Sequence, residues 1–398
     1  MDHLPAKPLI AIACGGTGGH LFPGLAIAGK LMQRGCDILL LISPKEVDQE
    51  AVKSAIGIRV EVLPAIGLKR GALVEFSGGF WKSILAAKRL FHQHPPQAVL
   101  AMGGFTCAPP VLAGKACGAA TFLHESNTIP GKANRWLSYV VDQAFVGFPS
   151  AANRLHAQSV ISTGTPVRPQ FHPTDPAACR TALGLHPENP VLLAMGGSQG
   201  ASGINDLLLQ AVPRLMGASP ALQFLHLTGP KDFQRVQSAY LARNCRAVVR
   251  PFLTEMELAL GAATVAVSRA GASSLAELAA MRLPAILIPY PSAADNHQFY
   301  NARALADAGA AVLLEQDLAS EEKFGSLVLK LLHETQTFSA MKEELVRWHS
   351  PHAAEQIADK MLIILRASGN WKWEDTTNRS SSSSAASVRE ENPQTAAA

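Results

Sequence analysis

The chain has 398 residues, of which 48% are hydrophobic and 17% are charged, and its formal net charge at pH 7 is +4. This composition excludes a disordered or fibrous protein and is typical of an α/β enzyme with two or three domains, since a domain has roughly 150 residues. A net charge this small does not indicate a nucleic-acid partner, and we expect none.

The six cysteines lie far apart, with no C-x-x-C pair and no spacing to histidine that is typical of zinc sites. We therefore expect reduced thiols and a cytoplasmic protein. The apolar run near the N-terminus is too short for a signal peptide, and no run approaches the ~20 residues of a transmembrane helix. The sequence thus predicts a soluble or peripheral protein.

A glycine-rich turn near the N-terminus is the feature around which the chain is organised. The apolar run Leu9–Cys14 predicts a buried parallel strand, and apolar residues at helical spacing over Leu21–Gln33 predict a helix. The glycines between them let the backbone approach a ligand, and the N–H groups at a helix start favour anions or polar sugars. We expect His20, at the start of the helix, to face the same crevice.

The same device occurs again in the second half of the chain, where the strand-like run Val191–Met195 leads through glycines into a helical pattern over Ile204–Val212. Two such units predict two doubly wound domains that face each other. The active site is then expected between them.

Further apolar runs alternate with segments of helical spacing, which predicts a parallel sheet covered on both faces in each half of the chain. Additional strands are predicted at residues 36–42, 58–65, 98–102, 120–124 and 143–146, and in the second half at 222–227, 247–250, 265–268, 285–289 and 311–314. Ligands of such sheets bind beyond the carboxyl ends of the strands. We therefore expect the loops at 102–110 and 124–131 to meet His20 in one crevice.

Two prolines and a lack of periodicity at Gly164–Pro169 predict the connection between the domains. We place the first domain at residues 1–166 and the second at 167–366. The composition then changes to serine, alanine, asparagine and charged residues without apolar spacing, which predicts a disordered tail at 367–398.

Residues 66–92 combine aromatic side chains with five Lys or Arg residues and one acid, a surplus equal to that of the whole chain. Aromatic residues beside concentrated positive charge favour adsorption to an anionic lipid surface. The alternative is an ordinary helix that packs Trp81, Ile84 and Leu85 inward.

Six motifs occur in order between residues 10 and 366: Gly15–His20, His124–Asn127, Gly164–Arg168, Gly196–Gly200, Ser268–Ala272 with Glu277, and Asn296–Asn301. Together they resemble the signatures of the bacterial UDP-N-acetylglucosamine–undecaprenyl-diphospho-muramoyl-pentapeptide N-acetylglucosaminyltransferase family. The resemblance implies the GT-B architecture, with two Rossmann-like domains across a cleft. It also implies inverting transfer of N-acetylglucosamine from UDP-N-acetylglucosamine to the 4-hydroxyl of the lipid-linked acceptor, in peptidoglycan synthesis at the cytoplasmic face of the inner membrane.

The resemblance implies roles for single residues as well. The carboxylate of Glu277 would accept hydrogen bonds from the ribose hydroxyls, and Arg168 and Arg269 would place positive charge near the diphosphate. The other positions expected at the substrates are Thr17, Gly18, Gly19, Asn127, Ser198, Leu253, Ala272, Ser273, Ser274, Leu275, Ala276, His297 and Gln298. The residue that reaches the donor sugar stays open between His297 and Gln298.

The implied reaction needs a base for the acceptor hydroxyl and stabilisation of the departing UDP. We expect His20 to be the base because an imidazole accepts a proton near neutral pH, and Glu125 to be either a rival base or the group that orients His20. No Asp-x-Asp occurs in the sequence. We therefore expect no metal and no cofactor, with helix N-termini and arginines stabilising the leaving group.

Competing interpretations remain for the same residues. The first glycine turn lacks the third glycine of a dinucleotide site, which argues against that reading. Glu125 alternatively pairs with Arg135, and Glu277 is alternatively a solvated helix residue.

Two other functions remain in view. An epimerase of the same architecture would use UDP-N-acetylglucosamine without a lipid, and a nonenzymatic module would only bind the nucleotide. The segment 66–92 favours the transferase.

Overall fold

The computed structural model describes residues 7–15, 18–44, 52, 57–64, 73–197 and 199–368. These residues form two parallel β-sheets, each with helices packed against it. Each predicted strand is present, and the predicted pair of doubly wound domains is confirmed. The continuous apolar runs explain this result, because a strand buried on both faces needs apolar side chains on both.

The first sheet has the strand order β3-β2-β1-β4-β5-β6-β7. Its strands are β1 Leu9–Ala13, β2 Asp37–Ile42, β3 Arg59–Val62, β4 Ala98–Ala101, β5 Ala120–Glu125, β6 Gln143–Val146 and β7 Val160–Ser162. Its helices are α1 Gly18–Gln33, α2 Leu73–Gln93, α3 Ala108–Ala116 and α4 Lys132–Leu137. The short edge strand β7 was not predicted, because its three residues are not buried and carry no clear apolar pattern.

The second sheet has the order β10-β9-β8-β11-β12-β13. Its strands are β8 Val191–Met195, β9 Gln223–Leu227, β10 Ala247–Arg250, β11 Val265–Ser268, β12 Ala285–Leu287 and β13 Val312–Leu313. The remaining helices are α5 Pro176–Ala182, α6 Ser202–Ala218, α7 Phe233–Ala242, α8 Met256–Ala262, α9 Ala272–Met281, α10 His297–Asp307, α11 Glu321–His333, α12 Thr335–Trp348 and α13 Ala353–Ala367.

The last helix, α13, returns to the first sheet. Ile357, Met361 and Leu365 are fully buried in the same apolar cluster as residues of β1 and α1. Beside them, Arg34 forms an ion pair with Asp359 at 2.6 Å. The predicted domain boundaries 167–366 include this helix in the second domain, although its apolar face packs in the core of the first sheet. A helical period reveals an apolar face but not the sheet that covers it.

The strand order reverses between β1 and β4 in the first sheet and between β8 and β11 in the second. Crevices at such reversals, beyond the carboxyl ends of the strands, are where open α/β sheets bind ligands. The turns after β1 and β4 and those after β8 and β11 therefore border the expected cleft. No helix within the described ranges is long and apolar enough to cross a membrane.

Candidate active site

The first turns of α1 and α9 meet across the cleft. The hydroxyl of Ser273 in α9 donates a hydrogen bond of 2.7 Å to the carbonyl oxygen of Gly19 in α1. Both helices follow the carboxyl end of a central strand, so their N-termini approach each other from different domains. Helix N-termini attract anions through free N–H groups and the helix dipole. The arrangement suits a ligand with a negatively charged diphosphate.

His20 is held in the tautomer that a proton acceptor needs. Its Nδ1 lies 3.0 Å from the carbonyl oxygen of Gly15. A carbonyl oxygen can only accept, so Nδ1 carries the proton and Nε2 is the basic nitrogen of the neutral ring. A Cβ at Gly103 would lie 2.8 Å from Nε2, so this glycine makes room for the imidazole. The turn at 102–110 therefore meets His20, as predicted.

Glu125 organises its own loop. Its Oε1 accepts from the backbone N–H of Asn127 at 2.8 Å and from Nδ2 of Asn127 at 3.0 Å. Its Oε2 accepts from the N–H of Gly131 and from Nδ2 of Asn134, each at 2.9 Å. Both oxygens are thus engaged within the loop, and Nδ1 of His20 is oriented by the carbonyl of Gly15 instead.

Arg135 is not paired with Glu125, an alternative that the sequence left open. Its guanidinium forms an ion pair of 2.6 Å with Asp295, which lies just before α10 in the second domain. Both side chains are 39% exposed. This contact spans the rim of the cleft.

His124 precedes Glu125 and is fully buried. Its Nε2 donates to the carbonyl oxygen of Gly164 at 3.1 Å, and the hydroxyl of Ser126 donates to Nδ1 at 3.2 Å. Burial lowers the pKa of His124 to about 4. The neutral ring therefore ties the end of β5 to the connection between the domains.

Arg168 lies between aromatic rings at the end of that connection. Its guanidinium carbon is 4.1 Å from the ring centroid of Phe22 in α1 and 4.9 Å from that of Phe171. Burial lowers the pKa of the guanidinium, and the negative charges of Glu277 and Glu257 oppose this shift only in part. Among the described residues no partner reaches its buried Nε. The positive charge is thus fixed beside the predicted nucleotide site.

Glu277 is partly buried on α9. Burial raises the pKa of its carboxyl to about 7, while Arg168 lowers it and the neighbouring charge of Glu257 raises it. This environment suits a carboxylate that accepts hydrogen bonds from a ligand's hydroxyl groups. The alternative interpretation, that Glu277 is a solvated helix residue, does not fit this burial.

Arg269 holds the loop that follows β12. It is 9% exposed, and its Nη1 donates to the carbonyl oxygens of Ile288 at 3.1 Å and Pro289 at 2.9 Å. Its Nη2 donates to Oε1 of Gln316 at 2.7 Å. The sequence did not reveal this structural role, and contact of Arg269 with a diphosphate stays a prediction.

The two rival sugar-facing residues are held differently. Oε1 of Gln298 accepts from the backbone N–H groups of Ala270 at 3.2 Å and Tyr290 at 3.0 Å. This fixes its carboxamide and leaves the NH2 group as the donor for a sugar hydroxyl. Nδ1 of His297 donates to the carbonyl of Ala294 at 2.7 Å. Which of the two residues reaches the donor sugar stays a prediction.

The other predicted contacts lie along the same elements. Leu253 is partly buried against the second core, and Phe252 beside it is 47% exposed. Gly18 begins α1, and the first turns of α9 contain the remaining predicted positions, Ala272, Ser273, Ser274, Leu275 and Ala276. Thr17 and Ser198 lie outside the described residues.

The loops after β8 and β9 touch where only glycine fits. Gly200 has φ +75°, and a Cβ there would lie 2.0 Å from the carbonyl oxygen of Thr228. Gly229 has φ +77°, and its Cβ would lie 2.4 Å from the carbonyl oxygen of Gln199. The N–H of Gly229 also donates to Pro251, which precedes Phe252. The glycine loop after β8 and the segment that contains Phe252 and Leu253 are therefore joined.

A buried polar network supports that junction, and sequence reasoning missed it. Nδ2 of Asn205 donates to the carbonyl of Thr228 at 3.0 Å and to Asp232 at 2.9 Å. Its Oδ1 accepts from Nε2 of His226 at 2.9 Å, and the hydroxyl of Tyr240 donates to Nδ1 of His226 at 3.2 Å. Burial lowers the pKa of His226 to about 3.

Within the part of the chain that the structure describes, no group of three or more His, Cys, Asp or Glu side chains is arranged to hold a metal ion. A metal-free reaction stays a prediction.

Comparison with known proteins identifies the family. Residues 10–146 match the glycosyltransferase family 28 N-terminal domain, and residues 191–360 match the glycosyltransferase family 28 C-terminal domain. The chain is 34% identical over 366 residues to the UDP-N-acetylglucosamine–N-acetylmuramyl-(pentapeptide) pyrophosphoryl-undecaprenol N-acetylglucosamine transferase of Anaeromyxobacter sp. strain Fw109-5, covering 89% of this chain and 93% of the relative. It is 36% identical over 366 residues to the transferase of the same name from Desulforudis audaxviator, covering 88% and 96%.

Solved structures agree with this assignment. The crystal structure of Acinetobacter baumannii MurG is similar with a TM-score of 0.71 and 27% identity, covering 90% of this chain and 100% of that one. The UDP-GlcNAc 2-epimerase from Neisseria meningitidis bound to UDP-GlcNAc has a TM-score of 0.65 at 14% identity, covering 89% and 100%, and shows the shared fold alone. The chain belongs to glycosyltransferase family 28, among the UDP-N-acetylglucosamine–N-acetylmuramyl-(pentapeptide) pyrophosphoryl-undecaprenol N-acetylglucosamine transferases.

Proposed function

We infer that the chain transfers N-acetylglucosamine from UDP-N-acetylglucosamine to the 4-hydroxyl of undecaprenyl-diphospho-muramoyl-pentapeptide, with inversion at the anomeric carbon. The observation that carries this conclusion is the 34% identity to a curated transferase over 89% of the chain, with both family 28 domains in order. The product is the lipid-linked disaccharide of peptidoglycan synthesis.

The chemistry follows from the residues at the cleft. The acceptor oxygen attacks the anomeric carbon, the bond from that carbon to the diphosphate breaks, and the hydroxyl proton passes to Nε2 of His20. The carbonyl of Gly15 stabilises the resulting imidazolium through Nδ1. The facing N-termini of α1 and α9 and the charge of Arg168 stabilise the departing UDP.

We propose that the second domain binds most of the donor. Glu277 accepts from the ribose, the backbone at Leu253 contacts the uracil, and Gln298 donates to the sugar. The residues of the first domain then close over the donor, with Asn127 and the first residues of α1, Gly18 and Gly19, on the acceptor side. In this scheme the reaction needs no cofactor and no metal.

The exposed face of α2 supports a peripheral membrane site for the acceptor. Trp81 is 63% exposed and Leu85 is 51% exposed, whereas Ile84 is buried. Lys82 and Lys88 are exposed on the same helix. We propose that this face rests on anionic lipid at the cytoplasmic side of the inner membrane. The predicted segment also includes 66–72, which lies outside the described residues.

The decisive experiment incubates the enzyme with UDP-N-acetylglucosamine and a lipid-linked muramoyl-pentapeptide analogue in the presence of a chelator. We expect the disaccharide and UDP in equal amounts. Conversion of the donor sugar to its 2-epimer without transfer would establish the epimerase alternative. Activity that appears only after a divalent metal is added would overturn the metal-free scheme.

A further inference from the structure

Asn301 joins the two domains through a fully buried side chain. It lies on α10, and its Oδ1 accepts from the backbone N–H and from the hydroxyl of Thr128, each at 2.9 Å. Its Nδ2 donates to Oδ1 of Asn127 at 3.0 Å and to the carbonyl oxygen of Ala270 at 3.1 Å. All the bonding capacity of one carboxamide is used, on partners from both domains.

These partners allow only one orientation of the Asn301 amide. The backbone nitrogen of Thr128 can only donate and the carbonyl of Ala270 can only accept, so oxygen and nitrogen are assigned uniquely. The bond from Asn301 then fixes the amide of Asn127, whose Nδ2 donates to Glu125. Asn301 of the second domain therefore helps to fix the conformation of the 125–131 loop in the first domain.

The network continues into the predicted sugar site. The N–H of Ala270 donates to Oε1 of Gln298, and the carbonyl of the same residue accepts from Asn301. A continuous set of hydrogen bonds thus runs from Glu125 through Asn127, Asn301 and Ala270 to Gln298. It connects a loop of the first domain to the group that we expect at the donor sugar.

We propose that Asn301 is a positioning residue for the transfer reaction. It locks the 125–131 loop against the second domain and so sets Asn127 and Gln298 in one arrangement around the sugar. This inference rests on the proposed function. Loss of the lock would displace both groups, and a displacement of about 1 Å can lower a rate by about 100-fold.

The test is the isosteric substitution Asn301→Asp, which replaces the donor with an acceptor facing Asn127 and the carbonyl of Ala270. We expect kcat to fall by at least about tenfold, while the Kd for UDP alone changes by less than about threefold, since the uracil and ribose contacts are separate. Arg135→Gln is the matched control, because it removes an exposed contact between the same two domains. Its kcat should stay within about threefold of wild type.

A second pair of variants keeps the test decisive if Asn301→Asp does not fold. Thr128→Val removes the hydroxyl at nearly constant shape, and Thr128→Ser keeps it. We expect a lower kcat for the first and near-normal kcat for the second. Equal kcat for the pair, or parallel loss of kcat and UDP affinity in Asn301→Asp, would overturn the positioning role. Absence of transfer by the wild-type enzyme would instead overturn the proposed function.

Discussion

The guanidinium of Arg168 stacks on the ring of Phe22 at 4.1 Å, and this contact joins the connection between the domains to the first helix of the first domain. We expect Arg168→Lys to lower kcat by about tenfold or more, because an ammonium lacks the planar fork that stacks and donates. Phe22→Leu keeps apolar volume and removes only the stacking, so its loss should be smaller. Steady-state kinetics on both variants checks this. Equal activity of Arg168→Lys and wild type would show that the guanidinium of Arg168 is not needed to stabilise the departing UDP.

His20 should act in the chemical step and not in donor binding. His20→Ala is expected to lower kcat by about 100-fold to 10,000-fold, the range typical of general bases, with the Kd for UDP nearly unchanged. Rapid-quench rates and UDP titrations measure the two quantities separately. If kcat and the affinity for UDP fell by the same factor, His20 would be a binding residue.

Gly103 provides a steric version of the same test. A Cβ at this position would lie 2.8 Å from Nε2 of His20, and Gly103 has φ +122°. Gly103→Ala should therefore displace the imidazole and lower kcat while leaving the nucleotide site intact. A variant with full activity would show that the position of Nε2 is not critical.

The sheets and glycine turns were predictable because apolar runs and glycines act locally. The strands β1 and β8 lie where the sequence placed them, and Gly15 after β1 and Gly103 after β4 both lie against His20. These features depend on patterns of a few residues.

Long-range partners were not predictable in the same way. The sequence offered Glu125 as a rival base or a partner of His20, whereas the folded loop surrounds its carboxylate with four donors. Asn301 stood in a recognised motif without a role, because its partners Thr128 and Asn127 are far away in the sequence. Arg269 was expected at the diphosphate, and its carbonyl partners appear only once β12 is in place.

The raised pKa of Glu277, about 7, predicts proton release when UDP binds. Hydrogen bonds from ribose hydroxyls favour the ionised carboxylate, so binding at pH 6.5 should release a proton and UDP affinity should rise as the pH increases to 8. Calorimetry at pH 6.5 in PIPES and in bis-Tris, which both buffer there and differ in ionisation enthalpy, measures the released proton. Glu277→Gln should weaken UDP binding by about tenfold or more and reduce the buffer dependence. Protonation of UDP itself is common to both proteins, and an identical buffer dependence would exclude Glu277 as the source.

Two buried histidines predict sensitivity to acid. The pKa values of His124 and His226, about 4 and about 3, lie below the ordinary value of 6.5. Between pH 6.5 and 4 the unfolded chain therefore binds more protons, and each ring lowers the free energy of unfolding by up to about 1.4 kcal/mol per pH unit as the pH falls.

Glu277 acts in the opposite sense between pH 7 and 4.5, because its raised pKa makes the folded protein bind the extra proton. The comparison that isolates His226 is therefore urea unfolding of wild type and His226→Gln at several pH values. Between pH 6.5 and 4, the slope of the free energy of unfolding against pH should be smaller in the variant by about the contribution of one proton. The same slope in both proteins would show that His226 does not titrate on unfolding.

The exposed face of α2 should govern association with anionic lipid. Replacing Trp81 with Ala and both Lys82 and Lys88 with Gln removes an apolar anchor and two charges, so binding to vesicles that contain phosphatidylglycerol should weaken by about tenfold or more. Transfer to a short-chain, water-soluble acceptor should stay near the wild-type rate, because these residues are not assigned to the cleft. Leu241→Ala is the matched control, since Leu241 is 74% exposed on α7 of the second domain. Unchanged vesicle binding by the triple variant, measured by co-sedimentation, would assign membrane association to another surface.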